Sequence, residues 1–403
     1  MHARPYLRLL AAGAIVVVCL FADLQPAPAQ VPNIQVQGRI QVQFRAAAGD
    51  STGNFGYVAG VKVATSTFEV RRLRIQANVR FGETVNLVIQ PAYEMGTLRM
   101  LDAYVRVGMM PNLFVTLGQE KSPFQRYELT SSNTLPSIER GARILGLVGK
   151  DALNDLLVAN GYASRDLGAA LELDAVDHRL NVKVALQNGS RESSRDVNTA
   201  KSYYARATYT LLLNTEDQPR LQVGASFASR DRAVCRTTTG TGPFLCPTFY
   251  ADSAKRTQAF GLDLEYGGFR PGLHVIADFA TGDNVPFARR GFNAPFNGGN
   301  VLSTADSNVV TFAGVSLIGS YRMLTGGSDT RLIRIIEPAL RVDYTDPDTD
   351  VPDDDGVLIT PVVSFHFTNT TIMRAGVDFY RYTDASGQGR TAREFKISWQ
   401  ANF

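Results

Sequence analysis

Apolar and polar residues alternate along most of this chain. Residues 34–44 read Ile-Gln-Val-Gln-Gly-Arg-Ile-Gln-Val-Gln-Phe, and residues 73–79, 180–184 and 395–403 repeat the pattern. Successive side chains of a β-strand point to opposite faces, so a period of two predicts strands with one apolar and one polar face. No stretch of the sequence shows a convincing helical period. The alternation therefore predicts an all-β fold.

The spacing of the alternating segments predicts about sixteen strands of roughly 7 to 14 residues each. They begin near residues 34, 68, 84, 99, 113, 167, 179, 201, 220, 256, 271, 309, 332, 357, 370 and 392. Gaps after even-numbered strands are short, whereas most gaps after odd-numbered strands are long, as around 120–166 and 282–308. This sorting is typical of a 16-stranded antiparallel transmembrane β-barrel of the bacterial outer membrane, with periplasmic turns and extracellular loops.

Composition excludes several other classes of protein. After residue 22 there is no run of the roughly 20 apolar residues that a spanning helix needs, which excludes a polytopic helical membrane protein. Aromatic and β-branched residues are spread along the whole chain, which excludes intrinsic disorder. The net charge of +3 is too small to indicate nucleic-acid binding.

Residues 1–29 have the pattern of a secretory signal peptide. Two arginines precede an apolar run of about 14 residues, and Ala-Pro-Ala at 27–29 supplies a cleavage pattern. We therefore expect a mature domain over residues 30–403. Lipidation at Cys19 is disfavoured because Val18 precedes it and both lie inside the apolar run.

The expected mature chain keeps two cysteines, Cys235 and Cys246, in a stretch rich in Thr and Gly. In an exported protein, such a pair predicts a local disulfide that closes a surface loop. Two free thiols are the alternative. No His or further Cys lies near them, so we expect no metal site there.

Aromatic residues near the strand ends fit the interfacial girdles of a membrane barrel. They are Phe44, Tyr93, Tyr203, Tyr209, Phe227, Tyr266, Phe279, Tyr344 and Phe379. The chain ends in Phe403 after apolar residues at 395, 397, 399 and 401. This ending is typical of the last strand that outer-membrane barrels present to their assembly machinery.

The phase of the alternation assigns polar side chains to the barrel interior. The inward residues are Gln35, Gln37, Arg39, Gln41, Gln43 and Arg45 in the first strand, Arg72, Arg74, Gln76, Asn78 and Arg80 in the second, Asp102, Tyr104 and Arg106 in the fourth, and Tyr204, Arg206 and Thr208 in the eighth. Sixteen strands leave an aqueous channel rather than a filled core. A polar lining by itself indicates only a pore.

Arginine is enriched on one arc of this lining, at Arg39, Arg72, Arg74 and Arg106. Guanidinium groups bind oxyanions in a bidentate manner, so the arc favours an anion-preferring pore. In the alternative interpretation these arginines pair with inward carboxylates, which would leave no strong preference. Those carboxylates are Glu94, Asp102, Asp263, Glu265, Asp278, Glu337 and Asp343, and they cluster later in the chain.

Residues 68–140 carry a more specific pattern. It consists of Phe-Glu-Val-Arg-Arg-Leu-Arg-Ile from residue 68, Leu-Asp-Ala-Tyr-Val from 101, Leu-Gly-Gln-Glu-Lys-Ser-Pro-Phe from 117, Glu-Leu-Thr-Ser-Ser-Asn from 128 and Ser-Ile-Glu-Arg from 137. This order closely resembles the phosphate-selective porin O and P family. The resemblance implies a 16-stranded, usually trimeric barrel that passes small solutes, with anions favoured. It also implies a third loop, here about 120–166, that folds into the lumen and constricts it.

Residue by residue, the resemblance puts Arg72 and Arg74 on a basic wall and Lys121 near the constriction. It implies that Glu128, Thr130, Ser131, Ser132 and Glu139, with Arg140, hold the folded loop. Arg126, Arg140 and Arg143 are further basic candidates from composition. Arg71 departs from the pattern because it falls on the lipid-facing phase, which requires a bulge, a subunit contact or a position at the membrane rim.

The remaining alternatives are a calcium loop, an enzyme and an adhesin. The acidic stretch 346–356 lacks the downstream Glu of a calcium loop and contains Pro352. The three histidines of the expected mature chain have no nucleophile paired with them, so we expect neither an enzyme nor a cofactor. An adhesin needs a plugged lumen, and the sequence from 30 leads directly into the first strand. We therefore predict an outer-membrane porin, with lipid, lipopolysaccharide, small anions such as phosphate, and a homotrimer as partners.

Overall fold

The computed structural model of the chain describes residues 31–403 apart from several short gaps. The gaps are residues 50–56, 59–60, 63–64, 95, 143–151, 191, 193–195, 197–198, 215, 217, 236–248, 285–300, 304–308, 327–331 and 384–388. The predicted signal peptide, Arg143 and Cys246 lie outside the described residues. Cys235 is the last residue of a strand, and the disulfide stays a prediction.

Sixteen long strands form the fold, as the alternation predicts. They are β1 Asn33–Gly49, β2 Ser66–Phe81, β3 Val85–Glu94, β4 Thr97–Met110, β5 Leu113–Lys121, β6 Arg165–Ala175, β7 Leu180–Gln187, β8 Ser202–Leu213, β9 Pro219–Cys235, β10 Phe249–Tyr266, β11 Gly272–Asn284, β12 Val310–Leu324, β13 Ile335–Asp346, β14 Gly356–His366, β15 Thr371–Thr383 and β16 Gly389–Asn402. Each pairs antiparallel with the next, and β1 pairs with β16, which closes the barrel.

The other elements of secondary structure are short. Val301–Ser303 runs parallel to the end of β9, and Tyr57–Val58 pairs with Val61–Lys62. Two helices lie between β5 and β6: α1 Arg126–Leu129 and α2 Leu153–Asn160. Across the described residues, neither helix has the length and apolar character needed to cross a membrane.

The faces of the barrel are inverted relative to a water-soluble protein. On β1, Ile34 and Val36 on the outer face are 60% and 63% exposed, whereas Gln41 and Gln43 on the inner face are each 1% exposed. An apolar outer surface and a polar interior are what a barrel in lipid requires. The inward phase predicted for β1 is therefore the observed one.

The seam between β1 and β16 is fastened by the last residue. The amide of Gly38 donates a 2.7 Å hydrogen bond to the carbonyl of Phe403, and the amide of Phe403 donates to the carbonyl of Gly38 at 2.9 Å. The Phe403 ring occupies the space beside Gly38, since a Cβ there would lie 2.2 Å from the ring's Cζ. A larger residue at position 38 would therefore displace the Phe403 ring.

A β-bulge in β2 explains the phase of Arg71. Gln41 of β1 pairs with Arg72, and the next residue, Val42, pairs with Val70. Arg71 is the extra residue, and it turns inward together with Arg72 because a bulge shifts the side-chain phase. Arg71 is 2% exposed and Arg72 is 4% exposed. Of the three explanations open for Arg71, the structure selects the bulge.

Candidate functional site

The described residues of the third loop, 122–142 and 152–164 between β5 and β6, lie inside the barrel. The Tyr127 amide donates a 2.9 Å hydrogen bond to Asp278 Oδ2 on β11, and the Tyr162 hydroxyl donates to the carbonyl of Asp283 at 2.8 Å. On another side of the lumen, Arg341 Nη1 on β13 donates to the carbonyl of Glu139 at 3.1 Å. The loop therefore reaches widely separated strands through the interior.

One side of the third loop packs mainly through apolar contacts. Phe124, α2 and Tyr162 meet a set of small or aromatic inward residues that we call the apolar wall. The apolar wall consists of Ala170, Ala185, Tyr204, Ala228, Ala259, Ala280 and Phe312 from strands β6 to β12. Five alanines leave room for Leu153, Leu156 and Leu157 of α2, which are at most 2% exposed. Small residues at the inward-pointing positions of these strands explain why α2 can pack here.

The opposite side of the loop carries its tip, residues Ser131–Asn133. Arg39 Nη2 donates to Ser132 Oγ at 3.0 Å, and Arg374 Nη2 on β15 donates to the carbonyl of Asn133 at 3.1 Å. Gln400 on β16 donates from Nε2 to Asn133 Oδ1. Charged and amide groups of the barrel thus hold the tip at a fixed place in the lumen.

Glu139 is the second polar anchor of the loop. Arg71 donates to both carboxylate oxygens of Glu139, at 2.5 Å from Nε and 2.9 Å from Nη2. Arg72 Nη2 donates to Oε2 at 2.7 Å. All three side chains are buried. Arg71 and Arg72 therefore both bind the carboxylate of Glu139. The bulge makes this possible because it turns both arginine side chains inward.

Glu128 forms a third anchor together with Lys121 and Arg140. Its carboxylate lies 3.6 Å from Arg140 and 3.9 Å from Lys121, and Asn154 of α2 donates to it at 2.9 Å. Lys121 Nζ also donates to the carbonyl of Glu128. Burial alone would raise the pKa of Glu128, but Arg140 and Lys121 lower that pKa below its usual value. The carboxylate is therefore held ionised inside the loop.

A cavity of about 420 Å³ remains between the loop tip and strands β1 to β7. It is lined by Gln37, Gly38, Arg39, Arg74, Gln76, Gln90, Asp102, Tyr104, Glu120, Lys121, Leu129, Ser131, Ser132, Asn133, Arg140, Arg165, Lys183, Asn402 and Phe403. We call its strand-borne residues the polar wall. Its charges are six basic side chains and two carboxylates, so the cavity is electropositive.

Most cations of the polar wall have carboxylate partners. Arg165 Nε contacts Asp102 at 2.7 Å, and Lys183 contacts Glu120 at 2.6 Å. Arg74 pairs with Glu94, which lies outside the cavity lining. The carboxylates predicted later in the chain are paired too, for example Asp343 with Arg341 and Asp263 with Arg206. The lumen is therefore not divided into a basic and an acidic arc.

Arg39 differs from the other cations of the cavity. Its guanidinium donates to Ser132 Oγ at 3.0 Å and to Asn133 Oδ1 at 3.4 Å, both neutral groups. Within the part of the chain that the structure describes, no carboxylate lies within 4 Å of it. A guanidinium without a counter-charge beside a water-accessible cavity is a binding group for oxyanions.

The structure divides the predicted site residues into three groups. Arg39, Arg74, Lys121, Arg140, Ser131 and Ser132 come together around the cavity. Glu128, Thr130 and Glu139 lie within the loop, where the Thr130 hydroxyl donates to the carbonyl of Arg126 at 2.8 Å. Arg72, Arg106 and Arg126 do not line this cavity, and their role in the pore stays a prediction.

Each of these three arginines has a carboxylate partner. Arg72 is neutralised by Glu139 because the loop returns to β2. Arg106 stacks on the Phe114 ring at 4.2 Å and lies 3.4 Å from Glu172. Arg126 contacts Glu265 on β10, so α1 carries it away from the polar wall.

Sequence reasoning did not select Arg165, Lys183 or Gln119. The alternation along β7 could have identified Lys183, since its side chain points inward, whereas Arg165 follows the loop and has no local signal.

Gln119 Nε2 donates to the carbonyls of Met100 and Leu101 at 2.5 and 2.8 Å. Leu101 is the extra residue at a register shift between β3 and β4. Gln119 therefore stabilises β4 next to the cavity.

Metal binding has no support among the described residues, where no three His, Cys, Asp or Glu side chains are grouped to hold an ion. The acidic stretch 346–356 is among the described residues, and its side chains form no such group. Some of its aspartates instead accept hydrogen bonds from the loop backbone, as Asp346 does from the Asp348 amide at 3.1 Å.

Comparison with solved structures shows the fold. The outer membrane channel DcaP of Acinetobacter baumannii is 13% identical, with a TM-score of 0.57 over 94% of this chain and 99% of that one. An anion-selective porin from Comamonas acidovorans is 11% identical, with a TM-score of 0.56 over 93% and 100% of the two chains. OmpT of Vibrio cholerae is 12% identical, with a TM-score of 0.53 over 94% and 100%.

Sequence comparison shows the family. None of the curated proteins matches this chain in sequence. The family model described as phosphate-selective porin O and P matches residues 35–239, which is just over half of the chain. That range contains β1 to β9, the third loop and all but two residues of the cavity lining. The protein is therefore an outer-membrane β-barrel channel and not an enzyme, and the chain belongs to the phosphate-selective porin O and P family.

Proposed function

We propose that the protein is a passive diffusion channel that prefers anions, phosphate and other oxyanions among them. In this proposal solutes pass through the cavity between the polar wall and the loop tip, and the third loop makes the constriction. Arg39, Arg74, Lys121 and Arg140 supply the positive potential there. A ring of basic side chains at the narrowest point favours anions over cations.

The observation that carries the proposal is the environment of Arg39. Arg39 is 5% exposed, lines the cavity and has only neutral hydrogen-bond partners among the described residues, so no carboxylate competes there with a passing anion. Charge-assisted hydrogen bonds from a guanidinium to an oxyanion are about twice as strong as neutral ones. We therefore expect Arg39 to contribute strongly to selectivity.

A weakly selective channel is the second candidate. The ion pairs of Arg165 with Asp102 and Lys183 with Glu120 reduce the net positive charge that a solute meets. In that case anions and cations would pass at similar rates, and Arg39 would only hold the loop tip.

Planar-bilayer recordings under a KCl gradient distinguish the two candidates. We expect a reversal potential that favours chloride, block of the current by added phosphate, and a loss of both in Arg39→Gln. Arg220→Gln is the matched control, because Arg220 lies outside the cavity and contacts Tyr266. Ohmic, unselective current in the unmodified protein contradicts anion preference, and a folded barrel without current favours an adhesin.

The proposal extends to the assembly. The resemblance to the family supports a homotrimer in outer-membrane lipid and lipopolysaccharide, with the apolar outer face covered by lipid or by neighbouring copies. Cross-linking of the protein in outer-membrane vesicles tests this, and a monomer at all cross-linker concentrations contradicts the trimer.

A further inference from the structure

The polar wall is built in two chemically distinct rows. Arg39 of β1 pairs in register with Arg74 of β2, and these two form a cationic row. One step toward the short turns, Gln37 pairs with Gln76, and Gln90 of β3 pairs with Asp102 of β4. Two residues along a strand span about 7 Å. A row of amides therefore lies about 7 Å from the row of arginines.

Several neutral groups of the polar wall line the cavity. Gln90 Nε2 donates to Gln76 Oε1 at 2.6 Å, and among the described residues the Gln90 side-chain oxygen accepts no hydrogen bond. Among the described residues, the Gln37 amide and the Tyr104 hydroxyl have no hydrogen-bond partner, and both line the cavity. These groups offer donors and acceptors together.

This combination does not match an inorganic oxyanion alone. A phosphate ion is chiefly an acceptor of hydrogen bonds and needs donors, so an exposed amide carbonyl contributes little to holding it. A hydroxyl group both donates and accepts, which is what Gln37, Gln90 and Tyr104 offer. The cavity volume of about 420 Å³ also lies in the range of sites that hold whole small organic molecules, about 300–1,000 Å³.

We infer that the cavity binds hydroxylated organic anions, namely sugars that carry a phosphate or a carboxylate. The anionic group lies against Arg39 and Arg74, and the hydroxyls lie against Gln37, Gln90 and Tyr104. The separation of the two rows, about 7 Å, corresponds to the distance between the phosphate and the far ring hydroxyls of a hexose phosphate. This inference rests on the proposed anion channel and names its solute class.

Block of the single-channel current by glucose 6-phosphate, inorganic phosphate and glucose tests the inference. We expect glucose 6-phosphate to block at about tenfold lower concentration than phosphate, as one to two net hydrogen bonds allow, and glucose alone not to block. In the double variant Gln37→Leu/Gln90→Leu, we expect glucose 6-phosphate and inorganic phosphate to block at similar concentrations.

Gln222→Leu is the matched control, since Gln222 is an amide of β9 whose partner is Thr210 and which lies outside the cavity. Equal block by glucose 6-phosphate and phosphate in the unmodified, anion-selective channel overturns the inference and leaves the proposed function intact. An unselective channel overturns both. If the double variant does not fold, the ratio of the two blocking concentrations in the unmodified protein still decides.

Discussion

The apolar wall and the polar wall hold the same loop by opposite means. The apolar wall offers alanines and aromatic rings, and α2 packs against it with leucines that are at most 2% exposed. The polar wall and its neighbouring strands offer arginines, a lysine and amides, which contact Ser132, Asn133, Glu128 and Glu139 of the loop. The cavity lies on the second side. Both walls hold the loop, and under the proposed function the polar wall also determines which solutes pass.

The largest effect is expected from Glu139→Gln. This change leaves Arg71 and Arg72 buried with reduced charge compensation, and breaking a buried ion pair costs about 3–5 kcal/mol. We expect the free energy of unfolding to fall by about that amount and the single-channel conductance to rise as the loop loosens. Glu83→Gln, in an exposed turn, is the control. Unchanged conductance and unfolding would mean that the apolar wall alone holds the loop.

The apolar wall is tested by Ala259→Leu. The Ala259 side chain is 0% exposed and belongs to the cluster that includes α2, so a larger side chain overpacks it at a cost of about 1–3 kcal/mol. We expect a lower unfolding midpoint and an altered conductance with unchanged ion selectivity. Ala277→Leu places the same change on the outer face of β11 and should have little effect. If Ala259→Leu shifted ion selectivity as much as Arg39→Gln does, the apolar wall would also determine selectivity. The distinction between the two walls would then fail.

Acidification tests the Glu128 anchor. The folded-state pKa of Glu128 lies below the usual value because of Arg140 and Lys121, although burial opposes this. Its stabilisation is therefore complete above the usual carboxyl pKa and is lost as pH falls through the folded-state pKa, at about 1.4 kcal/mol per unit of lowering. Current noise should increase over that acidic range. The same pH profile in Glu128→Gln would show that another group titrates.

The smallest effect is expected from the pair of Lys183 and Glu120. The two side chains are 19% and 13% exposed, and an ion pair with access to water contributes about 1 kcal/mol or less. Lys183→Gln should weaken chloride preference slightly, and the added Glu120→Gln should restore it because the cavity's net charge returns. A double-mutant cycle of reversal potentials measures this. Failure of the second change to restore selectivity would assign Lys183 a direct role beside Arg39.

The sequence predicted the strands better than it predicted the partners of their side chains. The alternation is local, and it gave both the sixteen strands and the inward phase of β1, because a barrel in lipid requires one apolar face along every strand. In the sequence, the bulge at Arg71 shows only as a break in the alternation of apolar and polar residues. Its structural role follows from Glu139, whose carboxylate accepts hydrogen bonds from Arg71 and Arg72.

The partners were beyond sequence reasoning for a definite reason. Arg72 and Arg74 stand two residues apart on the same face of β2, yet one is clamped to Glu139 and the other lines the cavity. Which of them meets Glu139 depends on how the third loop returns across the lumen after Lys121. Packing of α2 against the apolar wall contributes to that path, and no residue near Arg72 encodes it.

The contact between Gly38 and Phe403 also bears on how the barrel is assembled. Every strand except β1 and β16 finds both of its partners among its nearest neighbours in sequence, whereas these two must meet across almost the whole chain. Loop-closure entropy grows with the length of the loop, so this pairing costs the most conformational entropy of the sixteen. Until it forms, both strands are open sheet edges able to pair with other chains. Closure of the seam is therefore what removes the last open edges of the sheet.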